Sequence, residues 1–287
     1  QPQRRCRLAD LLCTRGYPAL FLCGWLGNSS RWGAVFVIGH LTEELTHSPR
    51  LVELVGGIYF APLLLGPFGG WLSDRYSRKV VLIVFNVLVV IPSSALISRT
   101  IEVGLLPTAL LLTLAYVYIF IMGLGFVVDL TCRRALVSDV TAASLLPIAM
   151  AMESIGMQSA SLIGNQFGGL AIEFLGGRPN AVALLACLQA VSTLLMCTVT
   201  VKRRAPPPRD GPGVVAQLVE GLRVLQTNRG LQSILGVTAI GNFFFGPFFP
   251  IVQVLAARMH VSPSLTGLLA SASGYGGVTA AAFVVLA

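Results

Sequence analysis

The 287 residues are 55% hydrophobic and only 11% charged, with a formal net charge of +8 and a mean hydropathy of +0.79. Water-soluble domains carry roughly 25% charged residues, and a fold of this size has too little interior for so much apolar surface, so lipid is the expected solvent. The basic excess would suggest nucleic acid in a soluble protein. Here the bases fall in short segments between apolar runs, which argues against that partner.

Taken in chain order, eight apolar runs have about the 20 residues needed to cross a bilayer as helices. They cover residues 18–41, 52–72, 80–98, 104–128, 144–174, 181–201, 231–256 and 264–287. Short polar turns separate them, except at 202–230. That stretch opens with Lys202-Arg203-Arg204 and Pro206-Pro207-Pro208, which stop a helix and extend the chain. Within it, Val214, Val215, Leu218, Leu222 and Leu225 recur at helical spacing, which predicts an amphipathic helix over 214–226 on the membrane surface. The reading is an all-α polytopic membrane protein with three parts: a six-helix bundle at 1–201, a cytoplasmic linker at 202–230, and two further helices at 231–287.

Lys and Arg set the direction. If the amino terminus is cytoplasmic, the inner segments hold Arg4, Arg5, Arg7, Arg15, Arg75, Arg78, Lys79, Arg133, Arg134, Lys202, Arg203, Arg204, Arg209, Arg223 and Arg229. The outer turns hold only Arg50, Arg99, Arg178 and Arg258, and Arg31 lies inside a span. The expected location is the cell's plasma membrane, multi-pass.

Chemistry-bearing residues are sparse. The six cysteines show no CxxC spacing and the three histidines are dispersed, so no disulfide framework, metal site or cofactor is expected. No nucleophile–base set or phosphate loop argues for an enzyme. Arg31, beside Asn28 and Trp32, costs on the order of 2.5–3.5 kcal/mol within a bilayer and needs a cavity or an acid. Counting at about 1.5 Å per residue from the helix ends, Arg31 lies roughly 20 Å deep and Glu153 roughly 13 Å, so Glu153 is the expected partner. In the fifth run, Gly156, Ala160, Gly164 and Gly168 share one helix face, with Gly169 beside it. The eighth run offers a similar face at Gly267, Ala270, Ser271, Gly274 and Gly277.

Gly70-Trp71-Leu72-Ser73-Asp74-Arg75-Tyr76-Ser77-Arg78-Lys79, between the second and third runs, resembles the signature loop of the major facilitator superfamily, G-x-L-a-D-r-x-G-r-k-x-x-l. Gly70, Leu72, Asp74, Arg75, Arg78, Lys79 and Leu82 match, and Ser77 stands in place of glycine. The resemblance implies the major facilitator fold, with about eight of twelve spans present, and implies that Asp74 caps a helix of the opposite half and pairs with Arg78 to close an inner gate. Asp129 would join that gate. Cys132-Arg133-Arg134-Ala135-Leu136-Val137-Ser138-Asp139-Val140 resembles the A-R-Q-A-L-x-P-D-L stretch of the drug–proton-antiporter branch that includes macrolide and siderophore exporters. Glu220-Gly221-Leu222-Arg223 with Asn228-Arg229 resembles that branch's E-G-L-R…N-R. Gly164-Asn165-x-x-Gly168-Gly169 is similar to the family's antiporter motif G-P-x-x-G-G, with Asn165 in place of the proline.

The resemblance implies proton-coupled export of small lipophilic or amphipathic solutes by a monomer. Asn28, Arg31, Trp32, Tyr116, Tyr118, Glu153 and Gln158 would line the solute and proton path, and the small faces of the fifth and eighth runs would slide on each other. The alternatives are a metabolite importer of the same superfamily, or a non-transporting truncated remnant. The chain starts without Met and stops inside an apolar run, which reads as truncation. A chain ending at Ala287 is expected not to transport.

Overall fold

The computed structural model describes residues 2–201, 214–245, 248–272 and 274–279, and among them it contains helices and no strand. The first helix, α1 (Pro2–Cys13), precedes the predicted runs and buries Leu11. The first run is α2 (Tyr17–Thr46). The second is α3 (Pro49–Phe60), a 3₁₀ turn (Ala61–Leu65) and α4 (Gly66–Arg75). Pro62 and Pro67 remove backbone donors within it, Pro62 inside the tighter turn and Pro67 just after it. The third is α5 (Arg78–Phe85), a π-helical turn (Asn86–Val90) and α6 (Ile91–Val103). The widened turn immediately precedes Pro92, whose ring would collide with the carbonyl four residues back in a regular helix.

The remaining helices are α7 (Thr108–Val140), α8 (Leu146–Phe174), α9 (Arg178–Thr198), α10 (Val214–Thr227), α11 (Arg229–Phe245), α12 (Phe248–Arg258) and α13 (Pro263–Ala270). Helix α10 forms where the amphipathic segment is predicted and touches α4 and α11. The sequence reading ends the fourth span at 128, whereas α7 runs twelve residues further. Arg133, read as a cytoplasmic loop base, is therefore a buried helix residue. Cys13, Cys23, Cys187 and Cys197 are free thiols.

Among the described residues, four continuous rods are long and apolar enough to cross a membrane: Pro49–Ser73, Arg78–Val103, Thr108–Val140 and Arg178–Thr198. The long helices α2 and α8 are more polar, and they are the pair packed most extensively together. Helix α2 also touches α3, α7, α9 and α12. Surrounded by protein rather than lipid, it can carry Asn28, Ser29, Ser30 and Arg31, all about 1% exposed or less.

Lipid supplies no hydrophobic drive between helices, so close backbone approach through small residues holds them together. A Cβ on Gly164 of α8 would strike the carbonyl of Ser29 and the amide of Gly33, and one on Gly168 would meet Phe36 and the Gly33 carbonyl. Gly156 lies against Phe21. The face of Gly156, Ala160, Gly164 and Gly168 thus packs on α2 and not on the eighth run, contrary to expectation. The contact with α13 and residues 274–279 uses Gln158, Leu162, Asn165 and Gly169, which meet Gly277, Gly274, Gly267 and Pro263. Each residue advances about 100° around a helix, so this second face lies one to two residues away from the first.

A local device occurs twice. His47 after α2 and His260 after α12 both adopt left-handed backbone, at φ 47° and 53°, uncommon for a residue with a side chain. Each is followed within two residues by an extended Ser-Pro pair, Ser48-Pro49 and Ser262-Pro263, that starts the next helix. Proline's fixed φ suits the first helical position.

Gly164→Ala is expected to destabilise the protein by about 1–3 kcal/mol, the range for forcing a methyl into a packed contact. Gly57→Ala meets nothing within 4 Å and should be neutral or slightly stabilising. Thermal unfolding in detergent checks both, and equal midpoints for the two variants would contradict the packing described.

Candidate functional site

Arg31, Asp129, Arg133 and Glu153 come from three helices and are each at most 6% exposed. They alternate in charge and form one chain. Arg31 Nη1 lies 3.7 Å from Asp129 Oδ2. Arg133 Nε donates to the same oxygen at 2.9 Å, and Arg133 Nη1 donates to Glu153 Oε2. Asn28 steadies the Arg31 end: its amide donates to Gly24 O at 2.9 Å and to Asp129 Oδ2 at 3.4 Å. Its own oxygen accepts from Arg31 Nη1 at 3.5 Å.

The backbone fixes this arrangement. Helices α7 and α8 are antiparallel neighbours, and Arg133 stands seven residues before the end of α7 while Glu153 stands seven after the start of α8. They are therefore level. Asp129 is one turn deeper on the same face of α7, and Arg31 is fourteen residues into α2. The chain climbs from about 10 Å to about 21 Å from the helix ends. That difference is why Arg31 does not pair with Glu153, as the depth estimate from sequence proposes. Asp129 and Arg133 fill the gap. Gly24 makes the space, since a Cβ there would stand 2.5–2.8 Å from the Arg133 guanidinium.

Taken together the four charges cancel. Removing one charge from water is costly, and breaking a buried pair costs more than forming it gains, so the set stands or fails as a unit. Two atoms at its ends, Arg31 Nε and Glu153 Oε1, have no hydrogen-bond partner among the described residues. The Glu153 end borders a cavity of about 270 Å³ lined also by Arg133, Arg134, Met150, Ser154 and Met157. A buried carboxylate with one oxygen unpartnered, on a residue that lines a cavity, is a candidate to take up a proton.

The signature loop lies at the end of the bundle nearer Glu153. Arg78 Nη1 donates to Asp139 Oδ2 at 2.7 Å and to Ala135 O at 3.2 Å, while its Nε donates to Ser73 O at 3.3 Å. Lys79 Nζ donates to Cys197 O and Val199 O, both at 2.7 Å. It sits on the carboxyl end of α9, where a cation suits the helix dipole. The Arg75 guanidinium stacks on Trp71 at 5.4 Å. Gly70 and Leu72 lie in α4. The side chain of Asp74 lies outside what the structure describes. Asp129 sits deep with Arg31 and Arg133 and does not reach this loop cluster.

The other predicted path residues disperse. Trp32 is buried against Tyr59 and Phe60, at ring distances of 5.9 and 6.2 Å. Gln158 is exposed towards residues 274–279, away from the charge chain. Tyr118 is buried beside Ser94, whose hydroxyl lies 3.3 Å from the phenol oxygen, and Tyr116 donates to Leu51 O at 3.2 Å. Two residues the sequence reading did not assign to a site, Arg133 and Asp139, prove central to the two ends. Both stand in the segment quoted as a family likeness, which was the available signal. Among the described residues no three His, Cys, Asp or Glu side chains stand close enough to hold a metal ion.

A family model described as the Major Facilitator Superfamily matches residues 20–287. No curated protein matches the chain. Among solved structures, the crystal structure of a D-xylose–proton symporter is similar, at 18% identity and a TM-score of 0.61, over 93% of this chain and 67% of that one. At that identity the likeness speaks to fold.

Asp129→Asn removes the acid between two buried arginines and is expected to cost on the order of 3–5 kcal/mol. Arg99→Gln breaks an exposed pair with Glu102 and should change stability by less than about 0.5 kcal/mol. Denaturant unfolding in detergent measures both, and a loss below about 1 kcal/mol for Asp129→Asn would contradict the linked chain.

Proposed function

The chain belongs to the major facilitator superfamily, and on that basis we propose that it is a secondary active transporter exporting small lipophilic or amphipathic solutes in exchange for protons. The observation that carries the reading is the buried charge chain ending at Glu153, a residue that lines a cavity and keeps one buried carboxylate oxygen without a hydrogen-bond partner. Protonation of Glu153 would remove the acid that holds Arg133 to α8. The cluster would then carry one net positive charge, and Arg133 would be held by Asp129 alone. The tie between α7 and α8 would weaken, and the balance between arrangements of the bundle would shift by the difference in proton affinity between them. Such a bias, applied to two helical bundles that rock about a shared solute site, couples proton and solute flow.

The antiporter branch rests on the likeness of the segment 132–140, whose Asp139 pairs with Arg78 in the loop cluster. The lipophilic solute rests on analogy with that branch. The distribution of Lys and Arg supports a plasma-membrane protein with its amino terminus inside. The repeated His and Ser-Pro turn supports two related halves, at 1–201 and from 231 onward, joined by the linker at 202–230. The second reading is uptake of a metabolite, and the similar structure is named a D-xylose–proton symporter.

Cells expressing the full reading frame should extrude a lipophilic cationic dye, and an uncoupler should abolish extrusion. Glu153→Gln should abolish it too, while leaving the protein in the membrane. Efflux that survives Glu153→Gln would reduce Glu153 to a structural partner of Arg133. Absence of efflux from the unmodified protein would favour uptake.

A further inference from the structure

A second cavity, of about 450 Å³, opens at the end of the bundle away from the signature loop, between the last turns of α2 and the end of α12. Its volume corresponds to roughly 9–10 Å across if round, within the usual range for small-molecule sites. All three histidines of the sequence line it, although they lie far apart in the chain. The polar groups on its wall are incompletely satisfied.

Glu43, near the end of α2, has one carboxylate oxygen without a hydrogen-bond partner and no ion pair among the described residues. Its neighbour Glu44 is already paired with Arg178. Gln253 of α12 is 7% exposed. Its Nε2 donates to Phe36 O at 3.2 Å, which fixes the amide against α2 with Oε1 buried toward Gly39. Gly39 leaves room for this amide, since a Cβ there would collide with it. His40 adds a ring nitrogen, Nδ1, also without a hydrogen-bond partner. On the same cavity wall, in the last turn of α12, stands Arg258. Its guanidinium makes no ion pair with a described residue.

We propose that this cavity binds a small zwitterion, an amine and a carboxylate on one short aliphatic chain. The ammonium meets the Glu43 carboxylate, and the carboxylate meets Arg258. A simple cation would face Arg258 unpaired and a simple anion would face Glu43, so each is disfavoured by leaving one wall charge uncompensated. A metal ion does not fit, because the histidines and acids do not converge. Binding here holds for either direction of transport and does not depend on Glu153.

The test is equilibrium dialysis of the detergent-solubilised full chain against radiolabelled L-alanine and γ-aminobutyrate, with butylamine and butyrate as single-charge probes. At least one zwitterion should bind about tenfold or more tightly than either single-charge probe. Glu43→Gln and Arg258→Gln should each weaken zwitterion binding about tenfold, the loss of one charge-assisted hydrogen bond. Arg258→Gln should also bring butylamine level with the zwitterion. Neither zwitterion binding, or binding unchanged by both substitutions, would overturn the proposal.

Discussion

Four ionised side chains inside an apolar bundle can persist only if they neutralise one another, and the helix arrangement follows from that requirement. Arg31, Asp129, Arg133 and Glu153 meet it in series across α2, α7 and α8. Asp129 is the acid shared by both arginines. Its Oδ2 accepts from Arg133 and from Asn28 and faces the Arg31 guanidinium 3.7 Å away. Such a site is shielded from bulk solvent, with each of the four side chains at most 6% exposed, which strengthens each contact and penalises each missing one. Helix α2 must therefore stay central, because any move toward lipid would expose Arg31 and separate it from Asp129.

Close packing makes that central position possible. Glycines on α8 bring its backbone onto α2 beside the charged layer, with Gly164 against Ser29 and Gly33. Gly24 on α2 opens the space that the Arg133 guanidinium fills. The same helix thus gives up side chains on one face to admit a neighbour's backbone and on another to admit a neighbour's charge. At the signature-loop end, Arg78 and Lys79 tie α5 to α7 and to the end of α9. Asp139, the partner of Arg78, stands six residues beyond Arg133 on the same helix.

Much of the fold was legible because hydrophobic length is a strong signal in lipid. The first six predicted runs each coincide with a helical rod, while the seventh falls on α11 and α12 and the eighth begins at α13. The charge pairing was not legible, for a specific reason. Apolarity falls at Asp129, so the fourth run ends there by composition, while the helix continues to Val140 because protein rather than lipid surrounds its last turns. Arg133 was consequently counted among loop bases. Helix faces were likewise ambiguous: small residues at Gly156, Gly164 and Gly168 announce a close contact but do not name the helix they meet. The three histidines are dispersed in sequence, and only the fold brings them around one cavity.

Central to this account is that the four charges act as one unit, although Arg31 and Glu153 do not touch. A double-mutant cycle tests it, using Arg31→Met and Glu153→Gln singly and together, with unfolding free energies measured in detergent. Coupling through Asp129 and Arg133 predicts an interaction energy of about 0.5 kcal/mol or more. Additivity within about 0.3 kcal/mol would mean two separate ion pairs that merely share a neighbourhood, and would contradict it.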